Sequence, residues 1–314
     1  MLGGNLTVIT EIVLLGFQVG FLFQMVLFTV FLLIYCMTMF GNLLIITLVS
    51  YSQNLHTPMY FFLTQLSITD ITLSSDIVPN MLHIFLNSTG TMSFSSCMSQ
   101  FFFFTMTEIY ECFLLTVMSY DRYVAVCNPL HYNSTMKQVF CLQLALLSLS
   151  LSILASSVEF ITVSNLSFCG PNIIDHIYCD VEPLLSLSCS DAAIVHLEII
   201  VLSIPVVVLP FILIILSYVH IIRSILRISS AIDRQKAFST CSSHLAVVSL
   251  FYSIPVFSYV LPTKRLSWTL SKVLSLLYTV ITPLVNPMIY SLRNKDIKSA
   301  FRKSVQSFCL MYFT

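Results

Sequence analysis

Seven apolar stretches, each of 20 residues or more, constrain the fold of this chain more than any other feature. A helix of about 20 residues crosses the hydrocarbon core of a bilayer, whereas a membrane strand needs about 9–11 residues of alternating polarity. The stretches do not alternate, and only 9% of the residues are charged, against about 25% in soluble domains. The sequence therefore predicts membrane-spanning helices at 23–49, 59–85, 99–126, 139–163, 199–222, 238–261 and 273–292.

The basic residues predict the orientation of these spans. With the N-terminus outside, the inner segments carry eleven Lys and Arg residues and the outer segments carry three, which is the bias expected of membrane proteins. We therefore predict an all-α membrane protein, a seven-transmembrane-helix bundle with the N-terminus outside and the C-terminus inside. It forms one domain over 1–314, with 1–22 as the extracellular N-terminus and 293–314 as the cytoplasmic tail. The tail has the spacing of a short amphipathic helix.

The outer segments also contain cysteines and a glycosylation signal. Four of the ten cysteines lie there, namely Cys97, Cys169, Cys179 and Cys189. Because the outer face is oxidising, this even set predicts two disulfides, and four cysteines allow three pairings among which the sequence does not choose. The Asn-x-Thr sequon at Asn5 predicts a glycan on the N-terminal segment.

Ionisable residues inside the spans are candidates for function, because burying them in lipid is costly. Glu108, Glu111 and Arg122 share one face of span three, so this face should point into the bundle. Asp70 of span two and Glu111 could together hold a cation, since carboxylates suit hard ions. The alternative is that both are protonated, hydrogen-bonded structural groups.

Arg122 is the first Lys or Arg of the chain and follows Asp121 at the inner end of span three. One interpretation is an anchor that reaches the lipid headgroups. The other is a switch, in which the guanidinium exchanges Asp121 for another protein when the bundle moves. The sequence around Arg122 does not decide between them.

Several ordered motifs carry a resemblance to a known family. They are Gly41-Asn42, the segment 55–60, the segment 118–132, Ser217-Tyr218, the segment 236–245 and the segment 283–294. Together, on seven spans, they resemble the odorant (olfactory) receptors, a branch of the rhodopsin-like G-protein-coupled receptors. The match covers nearly the whole chain. Asn80 is a departure, because this family usually has Lys at that position.

The resemblance implies roles that spacing alone does not show. It implies the disulfides Cys97–Cys179 and Cys169–Cys189, and a sodium ion between Asp70 and Glu111 with no other cofactor. It implies a non-enzymatic receptor in the plasma membrane of sensory cilia, which binds a small-molecule odorant and activates the stimulatory olfactory G protein to raise cyclic AMP. The implied coupling and switch residues are Asp121, Arg122, Tyr123, Tyr218, His244, Asn286, Pro287 and Tyr290.

The resemblance places the odorant pocket in the outer half of the bundle, between spans three, five, six and seven. Helical facing then selects its lining, which is mostly apolar, as small-molecule sites are. The predicted lining residues are Phe104, Thr105, Glu108, Ile109, Cys112, Leu202, Ser203, Val206, Tyr252, Val256, Tyr259, Leu276 and Thr279. Glu108 would favour an amine if ionised, would donate to a neutral polar odorant if protonated, or would only pack between helices.

Other classes of protein fit the sequence less well. A transporter could bury the same carboxylates, but transporters usually show repeated halves or broken helices, and this chain has no internal repeat. An enzyme needs a nucleophile and a base in one site, and neither His244 nor the cysteines predict such a pair. A non-olfactory chemosensory receptor of the same fold is the nearer alternative.

Overall fold

The computed structural model of the protein describes residues 9–169, 171–260, 268–293, 296–303 and 306. Its long helices are α1 (Phe21–Tyr51), α2 (Pro58–Asn87), α3 (Phe94–Cys127), α4 (Gln138–Ser164), α5 (Ala193–Leu226) and α6 (Ala231–Val260). The seventh, α7, runs through Trp268–Leu276, a π-helical turn at Leu277–Ile281, and Thr282–Arg293. Short helical segments lie at Gln53–Leu55, Pro129–His131, Tyr132–Thr135 and Val181–Leu185.

The predicted seven-helix bundle is confirmed, with helices that begin or end a few residues beyond the predicted spans. By length and hydropathy alone, α1, α3, α4, α5 and α7 could cross a membrane, while α2 contains Asp70 and Asp76. The largest differences are at the starts of α3, α5, α6 and α7, which begin five to seven residues before the predicted spans. Ser93 explains the first, because its side chain caps α3 by accepting a hydrogen bond from the Ser96 amide at 3.1 Å.

The third helix is the centre of the bundle. It contacts α2, α4 and α5. Of its most apolar stretch of 18 residues, 61% are buried, compared with 17% for α1. A helix surrounded by other helices is the one on which a polar stripe is shielded from lipid. The predicted inward face of α3 therefore has the surroundings that it needs.

The first and seventh helices approach each other closely where the side chains are smallest. A Cβ added at Gly41 would lie 3.2 Å from Cγ of Pro287, so this contact depends on glycine. Next to it, Asn42 donates a hydrogen bond at 3.2 Å to the Pro283 carbonyl. Proline removes backbone hydrogen bonds from a helix, and this side chain satisfies one of the carbonyls in that region.

A small sheet, which the sequence analysis did not predict, covers the outer end of the bundle. Its strands are β1 (Glu11–Leu14), β2 (Gly90–Ser93) and β3 (Ile173–Ile174), in the order β2-β1-β3. β1 is antiparallel to β2 and parallel to β3. We call these three strands, with the loop between β3 and the helix Val181–Leu185, the outer cap. The predicted extracellular N-terminus, 1–22, therefore includes a strand.

The outer cap is attached to α7 by a buried lysine. Lys272 donates at 2.5 Å to the Gly16 carbonyl and at 2.5 Å to Oδ1 of Asp175, and its ammonium lies 5.7 Å from the Phe17 ring centroid. Gly16 has a φ of +57°, and a Cβ there would meet Ile84. The turn that follows β1 therefore requires glycine.

Two disulfides hold the loop between α4 and α5. Cys97 at the start of α3 is bonded to Cys179, and Cys169 is bonded to Cys189 within the loop. Of the three pairings that the sequence allowed, the structure has the one that the family resemblance implies. The first bond holds the loop directly above α3.

After α7, residues 296–303 form a helix. Ile297 and Ala300 are buried, whereas the other described side chains of this segment are exposed. This is the predicted amphipathic helix, and it lies against the bundle, since the Tyr60 hydroxyl donates to Asp296 at 3.1 Å. The predicted glycan site at Asn5 lies outside the described residues.

Candidate ligand and signalling site

Aromatic side chains from three helices and the outer cap form a column in the outer half of the bundle. Tyr178 of the outer cap lies 4.9 Å from Phe104 of α3, and Phe104 lies 6.4 Å from Tyr278 of α7. Tyr278 in turn lies 5.5 Å from Phe251 of α6, which lies 5.2 Å from Tyr252. Such pairs stabilise their arrangement by about 0.5–1.5 kcal/mol each beyond area burial. We call these five rings the aromatic column.

The column includes two of the predicted pocket residues, Phe104 and Tyr252, and three that the sequence analysis missed. Tyr178 was missed because a loop has no helical face from which to argue. A signal did exist, since Tyr178 directly precedes Cys179, and the implied bridge to Cys97 places it above α3. Tyr278 lies within the π-helical turn Leu277–Ile281, where the spacing of an ordinary α-helix does not predict which side chains face inward.

The remaining apolar residues of the predicted pocket lie in different surroundings. Cys112 is buried and interacts with Tyr252, next to the aromatic column. Ile109 and Val206 instead pack together with Ala155 of α4, on the side of α3 that faces α4 and α5. Leu276 is buried and Leu202 is partly exposed.

The predicted pocket hydroxyls donate to their own helices. Thr105 donates to the Phe101 carbonyl at 2.9 Å, Ser203 to the Ile200 carbonyl at 2.8 Å, and Thr279 to the Ser275 carbonyl at 2.8 Å. Each hydroxyl has one proton to donate but can still accept. These residues can therefore receive a hydrogen bond from a ligand more readily than they can give one. The side chains of Val256 and Tyr259 lie outside what the structure describes.

Glu108 lies among other carboxylates in the outer half of α3, near the middle of the helix. Its electrostatic neighbours are Asp180 of the outer cap, Glu159 of α4 and Glu111 one turn below it. Glu159 also interacts with Glu198 of α5. This region therefore concentrates acceptors and negative potential beside the aromatic column.

A second polar centre lies deeper, where α2, α3 and α7 meet. The Asn286 amide nitrogen donates to Oδ1 of Asp70 at 3.0 Å and to Oε1 of Glu111 at 3.3 Å. Its own oxygen is buried and has no hydrogen-bond partner among the described residues. Two carboxylates and an unpaired amide oxygen are the donor types that a hard cation prefers. Among the residues that the structure describes, no group of three or more His, Cys, Asp and Glu side chains is arranged to hold a metal ion.

At the inner end of α3, Arg122 is paired with its neighbour. Its Nε donates to Oδ2 of Asp121 at 2.9 Å, and its Nη2 donates to the same oxygen. Asp121 is 0% exposed, and its other oxygen accepts a hydrogen bond from Tyr132 at 2.8 Å. Burial next to Asp121 raises the pKa of Tyr132 in this inner loop, so the hydroxyl remains a donor.

Other predicted switch residues lie around Arg122 without bonding to it. Tyr218 of α5 forms a 2.7 Å hydrogen bond with Nδ1 of His244 of α6, and the rings are stacked at 5.8 Å. The Tyr290 side chain is 1% exposed, and its hydroxyl has no hydrogen-bond partner in the described part of the chain. Tyr123 instead packs against His220 of α5 at 6.0 Å.

Two titratable groups of the outer cap have shifted pKa values. Burial lowers the pKa of His176 from 6.5 to about 4, although the Tyr178 carbonyl beside its Nδ1 opposes the shift. Burial also raises the pKa of Asp180 from 3.8 to about 6, although the Val181 amide donates to this carboxyl. At neutral pH, His176 is therefore neutral and Asp180 is mostly ionised above the pocket.

Comparison with known proteins gives a consistent result. A sequence model described as "Olfactory receptor" matches residues 31–307. The chain is 46% identical over 305 residues to olfactory receptor 11L1 of Homo sapiens, covering 97% of this chain and 95% of that protein. It is 44% identical over 301 residues to olfactory receptor 5AR1 of Mus musculus, covering 96% and 97%.

A solved structure agrees on the fold. The crystal structure of squid rhodopsin superposes with a TM-score of 0.69 and 16% sequence identity, over 93% of this chain and 88% of that chain. At this identity the likeness concerns the arrangement of the helices alone.

Proposed function

The chain belongs to the olfactory receptor family, and we propose that it binds small, mostly apolar odorants in the outer half of the bundle. On binding, it activates the stimulatory olfactory G protein and raises cyclic AMP. The observation that carries this proposal is the aromatic column, because its ring contacts join the outer cap, α3, α6 and α7. A ligand beside these rings would contact every element that a signal has to move.

The proposed pocket explains which ligands should bind. Its rings offer large apolar surfaces, and each buried methylene of a ligand contributes about 0.8 kcal/mol. A small volatile molecule therefore gains only a few such contributions, and micromolar or weaker binding is expected. Thr105 and Thr279 can accept hydrogen bonds, which favours odorants that carry one donor group.

The inner half supplies the proposed switch. In the structure, Asp121 holds Arg122 in place, with Tyr132 on the other carboxylate oxygen. Release of Arg122 would expose a guanidinium at the inner face, where the G protein binds, and Tyr218 and Tyr290 would rearrange around it. Asn286 joins α7 to α2 and α3, and Pro287 packs against α1 at Gly41. The structure described is therefore assigned to the resting receptor.

A sodium ion fits the polar centre between these two halves. Asp70, Glu111 and the unpaired oxygen of Asn286 would hold it. When bound, the ion would offset the repulsion between these two adjacent carboxylates. Its loss on activation would let α7 move relative to α3.

We place the receptor in the plasma membrane, in sensory cilia. The nearest competing function is a chemosensory receptor of the same fold outside olfaction, and a membrane transporter is a more distant one. The partners differ: an odorant receptor needs the stimulatory G protein to respond, and a transporter does not.

A cell assay tests this proposal. The full-length receptor is expressed with a cyclic AMP reporter and screened against a chemically diverse odorant panel, with and without the stimulatory olfactory G protein. We expect odorants that raise cyclic AMP only when the G protein is present. Solute uptake without the G protein would support a transporter, and the absence of any active odorant in surface-expressed receptor would contradict an odorant receptor.

The role of Glu108 is tested in the same assay. We propose that its carboxylate selects amines, because Asp180 and Glu159 add negative potential around it. Glu108→Gln should then abolish responses to amines and spare responses to neutral odorants. Unchanged amine responses would remove Glu108 from recognition.

A further inference from the structure

A polar groove lies between the outer halves of α2 and α3, away from the aromatic column. It has a volume of about 480 Å³, and its lining includes Asp76, Asn80, Ser99 and Gln100. Phe103, which also lines it, is 46% exposed. In a membrane-spanning helix an exposed Phe faces lipid, so the groove opens towards the outer leaflet and not into the bundle.

Two polar atoms in this groove are buried without a partner. Among the described residues, neither Oδ2 of Asp76 nor Nδ2 of Asn80 has a hydrogen bond. Gln100 does not satisfy them, because its amide nitrogen donates to the Asp76 backbone carbonyl at 2.8 Å and its oxygen accepts from the Cys179 amide at 3.0 Å. A buried acceptor without a donor is destabilising, and more so when it is charged. Among the described residues the groove therefore holds one acceptor, Oδ2 of Asp76, and one donor, Nδ2 of Asn80, that are not paired with each other or with other groups.

The charge of the groove selects the kind of ligand. Its lining contains one acid, Asp76, and neither Lys nor Arg, so an anion is disfavoured. A divalent metal is also a poor fit, because calcium takes 6–8 oxygen ligands and this groove offers a single carboxylate. An ammonium group needs fewer partners, since it has three donors. Oδ2 of Asp76 and the hydroxyls of Ser95, Ser96 and Ser99 can accept them.

We propose that the groove between α2 and α3 is a second binding site, which takes an ammonium group against Asp76. Two sources share this chemistry: the headgroup of phosphatidylethanolamine in the outer leaflet, and a small soluble amine. The site is independent of the odorant pocket, because it is lined by α2, α3 and the turn between them.

The test uses full-length receptor in nanodiscs of phosphatidylglycerol, which has no ammonium group. One arm adds n-butylamine at neutral pH, and n-butanol serves as its uncharged control. The other arm replaces part of the lipid with phosphatidylethanolamine. Because a ligand that binds only the folded state stabilises it, we expect the Tm to rise in at least one arm, and not with n-butanol. The arm that responds identifies the source.

Variants assign the effect to the groove. In the Glu108→Gln background, which removes the amine response proposed for the odorant pocket, Asp76→Asn should remove the rise in Tm, whereas Glu11→Gln, which removes an exposed acid of β1, should keep it. Asn80→Lys provides a second test, because its own ammonium would occupy the groove, raise the Tm without added ligand and remove the further response. No rise in wild type in either arm, or an undiminished rise in Asp76→Asn, would overturn the proposal. A rise lost in Glu108→Gln but kept in Asp76→Asn would assign the amine to the odorant pocket instead.

Discussion

His176 and Asp180 of the outer cap should make opposite contributions to stability as the pH changes. Burial lowers the pKa of His176 from 6.5 to about 4. A group with a lowered pKa stabilises the fold above its unfolded pKa, and this contribution is lost as the pH falls through the folded pKa. One pKa unit corresponds to about 1.4 kcal/mol. Protonation of His176 should therefore lower the free energy of unfolding of the receptor by about 3 kcal/mol as the pH falls from 6.5 to 4.

Asp180 has the opposite sign. Burial raises its pKa from 3.8 to about 6, so its contribution is present at low pH and is lost as the pH rises through 6. By the same conversion this amounts to about 3 kcal/mol. The two contributions should therefore nearly cancel in the wild type between pH 6.5 and 4, and removing either one should uncover the other.

The assay is thermal unfolding of the purified full-length receptor in nanodiscs across this pH range, with each variant compared with wild type. Asp180→Asn, which can still accept from the Val181 amide, should be destabilised by acid by about 3 kcal/mol more than wild type. His176→Gln should become more stable in acid by a similar amount. Glu11→Gln, at an exposed position of β1, serves as the control and should follow the wild-type profile. Identical pH profiles for the wild type and both cap variants would refute this reasoning.

Three further substitutions test separate contacts. Tyr132→Phe removes a hydrogen bond to Asp121, and a hydrogen bond to a charged group contributes about 1.5–3 kcal/mol. Because Asp121 also holds Arg122, cyclic AMP without odorant should rise severalfold. Unchanged basal cyclic AMP would show that this bond does not restrain Arg122. Lys272→Met leaves Asp175 unpaired and should lower the Tm of the purified receptor by several degrees; an unchanged Tm would mean that α7 does not hold the outer cap. Phe104→Leu removes one ring from the aromatic column. Since aromatic contacts contribute about 0.5–1.5 kcal/mol each, the odorant concentration for half-maximal response should rise about tenfold at equal surface expression. Equal potency would place the ligand elsewhere.

The sequence predicted the helices well, because an apolar run long enough to cross a bilayer has few other structures available to it. It did not predict β1. This strand spans only Glu11–Leu14, and its partners begin near Gly90 and Ile173, far away in the chain. Pairing at such a separation leaves no local signal, since it depends on where α2 and the disulfide-bonded loop end.

The functional site was predictable where it depends on one helix. Glu111 and Arg122 were placed on the inward face of α3 from their spacing alone. The contact of Asn286 with both Asp70 and Glu111 was not, because it depends on how closely α7 approaches α2 and α3. The π-helical turn in α7 likewise changes which side chains face inward, and this brought Tyr278 into the aromatic column.

We propose that a ligand in the outer half of the bundle acts through Arg122 at the inner end of α3. Arg122→Ala tests it most directly, with surface expression, odorant binding and cyclic AMP measured on the same cells and an active odorant from the panel. We expect near-normal surface expression and odorant binding with no cyclic AMP response. A full cyclic AMP response from this variant would contradict it, and would show that Arg122 only anchors the helix.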